Sequence, residues 1–340
     1  MPSRHAAERA ATPIAFIRAM AEAHRRQGSD PADALARAGI DPALLDDPAN
    51  RVTAKQMEVM SEVSMRTLDD EALGWFSQPL PWGSYGMLCR ASLSSPNLEV
   101  ALKRWCRHHR LLTRDILLTL SQHEGQAQLS IDVRRPLGEF KEFCLVTILR
   151  MSLGYACWLI DSRLPLLHAH FPFPMPEHVE IYPPLFCEAL HFDADAANIV
   201  FDAQYLALPL RRDEAALQAM LRRALPLTVL QYRRDRLLVQ RVRQVLGTEL
   251  LSSTTAERVA ERLNVSVRTL HRQLQDEGAS LQQLKDDARR ERAIELLERS
   301  TASVKQVAHA VGFRNDKSFA RAFRDWTGFS PSEFRERGTG

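Results

Sequence analysis

The sequence predicts an α+β domain over residues 1–215 and an all-α domain over 236–337, joined by a helical linker at 216–235. Three observations carry this reading. A length of 340 residues fits two domains of roughly 100–200 residues each. Strand signals fall between residues 115 and 201, in segments rich in Ile, Leu and Val and in the alternation of His168–Phe173. From Arg233 to Arg335 the apolar residues recur only at helical spacing, and one short pattern appears twice, 48 residues apart.

The first 110 residues read mostly as helices. Pro13 to Gln27 places Ile14, Ile17 and Met20 on one helical face and ends at Gly28. Asp33–Ala38 makes a short helix closed by Gly39. Thr53 has the chemistry of an N-cap for a helix carrying Met57, Val59, Met60 and Val63. Trp82-Gly83-Ser84-Tyr85-Gly86 reads as a turn-rich stretch, and Ser95-Pro96-Asn97 leads into a helix from Leu98 to His109. Asp115–Leu120 and Ala127–Val133 form a hairpin candidate, with His123-Glu124-Gly125-Gln126 between them. A long apolar helix follows, then strands in His168–Phe173 and His191–Phe201, and a helix that starts at Asp213. Helices, a hairpin and further strands in this order argue for an α+β fold. In the tail, breaks are expected at Gly247, Asn264, Gly278, Ser300–Ser303, Gly312 and Gly328.

Composition narrows the function classes. Hydrophobic residues make up 45% and charged residues 26%, an ordinary globular balance that can build a core without staples. Residues 233–340 hold 21 Lys+Arg against 15 Asp+Glu, and residues 1–232 hold 24 against 27. A basic tail on a mildly acidic body suggests an anionic partner for the tail. Cys89, Cys106, Cys144, Cys157 and Cys187 form no C-x-x-C pair, which fits reduced thiols in a cytoplasmic protein. The N-terminus lacks the apolar stretch and cleavage site of a signal peptide. Phe143–Ile160 approaches the length of a membrane span. Arg150 at its middle, flanked by Glu142 and Asp161, reads instead as a buried helix of a soluble domain.

The repeated pattern is Val259-Ala260-Glu261-Arg262-Leu263-Asn264-Val265 and Val307-Ala308-His309-Ala310-Val311-Gly312-Phe313. A helix-turn-helix asks for these residue types. Small Ala260 and Ala308 let a second helix cross closely. Asn264 and Gly312 suit a left-handed turn residue. Leu270 with Leu274, and Phe319 with Phe323, anchor the second helix of each copy at i, i+4. Ser266 is a plausible cap for Val267–Asp276. Asp316, with Asn315 as the alternative, caps Lys317–Trp326. The outward positions are then Arg268, His271 and Arg272 in the first copy, and Lys317, Ala320, Arg321 and Arg324 in the second. Arginine reads guanine in the major groove, and both cations hold phosphates. Ser280–Arg299 predicts a connecting helix about 30 Å long, close to the ~34 Å turn of B-DNA. The tail thus predicts two helix-turn-helix units joined by a long helix.

Residues 254–335 resemble the DNA-binding domain of AraC-type transcription regulators. The segment from Phe319 to Arg335, with Gly328-Phe329-Ser330-Pro331 inside it, is similar to that family's signature, and Val304–Ala308 and Gly312-Phe313 match its lead-in. The resemblance implies base or phosphate contacts at Arg268, His271, Arg272, Lys317, Ala320 and Arg321. Asn264 departs from the commoner glycine at the first turn. Trp82–Met87, Pro96–Trp105 and Phe186–Leu210 resemble the longer arabinose-binding-type effector domain of the same family. This implies an α+β effector and dimerisation domain, a small-molecule effector, a homodimer and double-stranded promoter DNA as partners, with RNA polymerase beside them.

Remaining residues have two readings each. Arg150 meets either an anionic effector or a structural partner. Trp82, Tyr85 and Trp105 line either an effector pocket or the core. His168-Ala169-His170 and His191-Phe192-Asp193-Ala194-Asp195 carry metal-ligating types without a recognised spacing, and are read as ordinary histidines. Arg233-Arg234-Asp235-Arg236 is read as a solvated linker face. No catalytic motif, metal site, cofactor site or membrane segment is expected. The competing functions are a nonspecific architectural DNA-binding protein and an enzyme tethered to nucleic acid.

Overall fold

A computed structural model describes residues 10–222, 237–248 and 254–338. The chain divides into two compact units, Met1–Asp235 and Arg236–Gly340. The basic stretch 233–236 and linker positions 223–235 lie outside the described residues.

The first unit opens with a small ribbon that the sequence did not announce. β1 (Ala10–Pro13) pairs antiparallel with β2 (Arg51–Thr53), setting Thr12 opposite Val52. Between them run α1 (Ile14–Arg26) and α2 (Ala32–Ala38), the second closed by Gly39 at φ 64°. α3 (Ala54–Leu68) starts from a capping box, in which Thr53 and Gln56 satisfy each other's free amides. His24 on α1 joins α3 through Ser64, 3.0 Å from its Nε2.

The stretch expected to be a turn contains a helix start instead. α4 (Ser84–Leu93) begins within it, and Glu71 accepts from the amides of Gly83 and Tyr85 at its N-terminus. Gly86 is therefore a helical residue, and it serves packing. A Cβ there would stand 3.2 Å from Leu221 Cδ1. Leu221 belongs to α7 (Glu214–Leu221), which is also held to α4 by Arg90 and Glu214 at 2.7 Å. α7 spans the 215/216 position at which the linker was expected to begin.

α5 (Leu98–Leu112) is capped by Asn97 and leads into a five-stranded sheet of order β3-β4-β7-β5-β6. β3 (Ile116–His123) and β4 (Gln126–Val133) pair along their whole length. The two-residue turn, Glu124 at φ 48° and Gly125 at φ 80°, has the primed geometry that matches strand twist. β5 (Leu166–His170), β6 (Leu190–His191) and β7 (Ala197–Asp202) complete the sheet, with β5 and β6 parallel. α6 (Lys141–Ile160) is long and apolar enough to cross a membrane, but its residues are buried inside this unit. All five cysteines are free, and burial pushes the Cys106 thiol up to about 12 and the Cys157 thiol up to about 11.

One buried group makes this unit sensitive to acid. His109 on α5 packs edge-on to Phe76, and burial pushes its pKa down to about 4. An unfolded histidine takes its proton near 6.5. Stability is therefore complete above pH 6.5 and is lost as pH falls toward 4, by about 3 kcal/mol in total. His24, also lowered by burial, acts in the same direction. Urea midpoints followed by tryptophan fluorescence at pH 7 and pH 5 should show this loss, and His109→Met should reduce it.

The second unit is helical throughout its described residues: α8 (Leu237–Thr248), α9 (Ala256–Arg262), α10 (Val267–Asp276), α11 (Leu281–Arg299), α12 (Val304–Ala310), α13 (Asp316–Thr327) and α14 (Pro331–Gly338). α8 runs through Gly247, where a break was expected. The connector α11 has 19 residues, with Ser280 as its cap rather than its first residue.

Candidate nucleic-acid interface

The repeat in the sequence is also a repeat in hydrogen bonds. In the first copy, the amide of Asn264 donates to the Glu261 carbonyl at 3.0 Å and that of Val265 to Ala260 at 3.0 Å. Forty-eight residues later, Gly312 donates to His309 at 3.0 Å and Phe313 to Ala308 at 2.9 Å. Asn264 sits at φ 54° and Gly312 at φ 85°. Each turn needs a left-handed residue, and asparagine tolerates that conformation better than most.

Caps then set where each second helix begins. Ser266 accepts from the Thr269 amide at 3.1 Å and starts α10. Asn315 accepts from the Ser318 amide at 2.8 Å and starts α13, so the cap is Asn315, and Asp316 is the first helical residue. Asp316 turns its carboxylate to the Lys317 amide instead. Ser266 and Asn315 thus spend one acceptor each on their own helix.

Two separate cores hold the copies. Val259, Ala260, Leu263, Leu270 and Leu274 pack with α8 and with Leu281 and Leu284 of the connector. Val307, Ala308, Val311, Phe319 and Phe323 pack with Ala293 and Leu297 of the same helix. Each half of α11 is therefore built into a different core. Arg289 reaches over the Phe313 ring at 5.7 Å, and Arg335 donates to the carbonyls of Leu297 and Ala302 at the connector's C-terminal end.

Burying one side of each second helix dictates what the other side carries. At 100° per residue, Arg268, Arg272 and Gln275 fall opposite Leu270 and Leu274 and His271 flanks that pair, and all four are exposed. Lys317, Arg321 and Arg324 fall opposite Phe319 and Phe323, and Ala320 flanks that pair. Ala320 is half-buried and the other three are exposed. Arg324 lies 3.5 Å from Glu333, an exposed pair that contributes little. Gln275 and the exposed turn residue Arg314 extend the two stripes. Gln275 was legible as the i+7 position from Arg268, whereas Arg314 precedes its helix and carries no periodic signal.

In the first unit the four effector candidates do not form one group. Tyr85 on α4 meets Trp105 on α5 edge-on at 5.8 Å, and Trp105 stacks on Tyr155 at 4.8 Å. The Tyr85 hydroxyl and Trp105 Nε1 are buried and make no hydrogen bond of ordinary geometry. Burial raises the pKa of the Tyr85 phenol and of the Cys89 thiol beside it. Trp82 turns outward, 44% exposed, with the Arg66 guanidinium 4.3 Å above its ring. Arg150 is buried on α6, donates to the Leu185 carbonyl at 2.5 Å and faces the Phe186 ring at 5.7 Å. Burial pushes its pKa down to about 10, which leaves it charged at neutral pH.

The arabinose-binding domain of AraC transcription regulators matches residues 28–210, and a helix-turn-helix domain matches residues 259–337. The chain is 27% identical over 325 residues to the ornithine utilization regulator of Pseudomonas aeruginosa, covering 95% of this chain and 96% of that protein. It is 26% identical over 340 residues to an uncharacterized HTH-type transcriptional regulator of Mycobacterium tuberculosis, covering 96% of each. Among solved structures, the transcriptional regulator CdpR of Pseudomonas aeruginosa is similar at 22% identity and a TM-score of 0.33, covering 90% of this chain and 96% of that one.

Proposed function

Since this chain belongs to the AraC family of DNA-binding transcription regulators, we propose that α10 and α13 occupy successive major grooves on one face of promoter DNA. The observation that supports this is the pairing of two stripes, each opposite a buried anchor pair, on a connector whose halves belong to different cores. The 19-residue connector measures about 28 Å at 1.5 Å per residue, near the ~34 Å groove repeat.

Within this reading Arg268, Arg272 and Arg321 read base edges, with guanine the natural partner of each guanidinium. His271 and Gln275 add shorter contacts, and Ala320 offers its methyl to thymine. Lys317, Arg314 and Arg324 hold phosphates. The Ser266 hydroxyl and the Asn315 side-chain NH2 can donate at the helix N-termini, where phosphates are favoured. The protein acts in the cytoplasm as a homodimer, and the bound dimer meets RNA polymerase at the promoter. The first unit binds a small-molecule effector. Tyr85 and Trp105 are the best-supported candidates, because two buried donors beside flat aromatic walls suit a ligand with an acceptor group. Arg150 suits an anionic one.

Selecting duplexes from a random library with the purified full chain provides the site for the test. Arg321→Ala should then lose about 1–3 kcal/mol against the selected site and relax its preference at one base position. Lys317→Glu should weaken selected and scrambled duplexes alike. Equal affinity of the folded Arg321→Ala protein for the selected site would remove Arg321 from the interface. Thermal-shift screening of metabolites against the full chain, repeated on Trp105→Phe, tests the effector reading.

A further inference from the structure

Three histidines that are up to 23 residues apart in sequence meet at one edge of the five-stranded sheet. His168 and His170 lie two residues apart on β5, so their side chains leave the same face. β6 runs parallel beside them and sets His191 against His170. The rings of His170 and His191 stack at 4.4 Å, and His168 stands 5.3 Å from His191. Nδ1 of His168 and Nε2 of His191 are 3.2 Å apart. His170 is fixed from its far side by Asn198 on β7, whose Oδ1 lies 2.9 Å from its Nδ1. His191 is exposed and the other two are partly so, which leaves the group open to solvent.

We propose that His168 and His191 chelate a divalent transition-metal ion of the zinc class, with His170 as a positioning residue. Two nitrogens bound to one tetrahedral zinc at 2.0–2.1 Å stand about 3.3 Å apart. The separation here already matches that figure. One neutral imidazole donates to the other across this gap. An ion entering it takes both lone pairs, and the shared proton moves to the second nitrogen of its own ring. No three His, Cys, Asp or Glu side chains converge on one point among the described residues, so water completes the coordination. His170, stacked on His191 and held by Asn198, keeps the His191 ring from turning away, as outer-shell partners of metal ligands do. β6 is only two residues long, and an ion bridging β5 to β6 fastens that strand to the sheet.

The test is calorimetric titration of the tag-free full chain with zinc chloride, with copper-loaded protein read by electron paramagnetic resonance. The expected result is one ion per chain, a copper spectrum with two nitrogen ligands and a raised melting temperature. His168→Ala and His191→Ala should each weaken binding at least tenfold. His170→Ala should weaken it less, and the exposed hairpin variant His123→Ala should leave it unchanged. All of these positions reach solvent, so the variants are expected to fold. Absence of binding by the tag-free chain, or binding as tight as the parent's by the His168→Ala and His191→Ala proteins, overturns the proposal. A loss in His123→Ala equal to that in His191→Ala also overturns it, since it would mean scattered surface binding.

Discussion

Replacing Glu291 by proline is expected to lower affinity for a selected two-groove site about a hundredfold while both helix-turn-helix cores stay folded. Glu291 is exposed near the middle of α11. Proline there removes one backbone hydrogen bond and presses on the carbonyl four residues back, at a cost of about 3 kcal/mol. The halves of the helix keep their anchors, Leu281 and Leu284 on one side and Ala293 and Leu297 on the other. What is lost is the fixed link that makes the second docking event intramolecular, and such linkage is commonly worth ~10²–10⁴ in affinity. Fluorescence anisotropy with the selected duplex measures the loss, circular dichroism reports the retained helix, and Glu291→Ala serves as the control. A proline variant that binds the full site as tightly as the parent would show that the connector's rigidity is irrelevant to binding.

Phe319→Ala is expected to destabilise the second helix-turn-helix by about 3–5 kcal/mol, the usual cost of emptying a large buried aromatic site. Phe319 is fully buried in a core of only seven buried residues, and it touches Phe313 at 5.6 Å and Phe323 at 5.6 Å. So small a core has few neighbours able to collapse into the space. The stability of whole domains is only about 5–15 kcal/mol, so α12–α14 should melt well below the rest of the chain. Urea denaturation of the full chain should show an added early transition with loss of helical signal, and DNA binding should fall with it. A single unchanged transition would mean that the first core carries the second.

Local signals in the sequence were reliable where the physics is local. Thr53 and Ser266 cap the helices that follow them, because an N-cap involves only its next few residues. The twin turns at Asn264 and Gly312, and the sides of the helices buried by Leu270, Leu274, Phe319 and Phe323, follow from short-range periodicity in the same way. Errors arose where a distant contact decides. Gly83 and Gly86 together looked like a turn, yet Gly86 lies inside a helix whose first amides are held by the distant Glu71, and Leu221 packs against it. The ribbon of β1 and β2 depends on pairing across some forty residues, with no alternation in either strand long enough to reveal it. The histidine cluster escaped for the same reason: His168 and His191 meet only because β6 lies parallel beside β5. Trp82, Tyr85 and Trp105 shared an aromatic character in the sequence, but only the latter two share a contact.

The construction of α11 also constrains how such a protein can diverge. An α-helix advances 1.5 Å and turns about 100° per residue. Inserting one residue between Leu284 and Ala293 would swing α13 about a quarter-turn around the connector and point its arginines away from the duplex. Inserting seven would nearly restore the angle, but would move α13 by about 10 Å, roughly three base pairs along the DNA. With α10 and α13 docked as proposed, connector length and operator spacing are locked in phase. In that arrangement the bases read change one side chain at a time, whereas the distance between half-sites changes only in steps that the helical repeat allows.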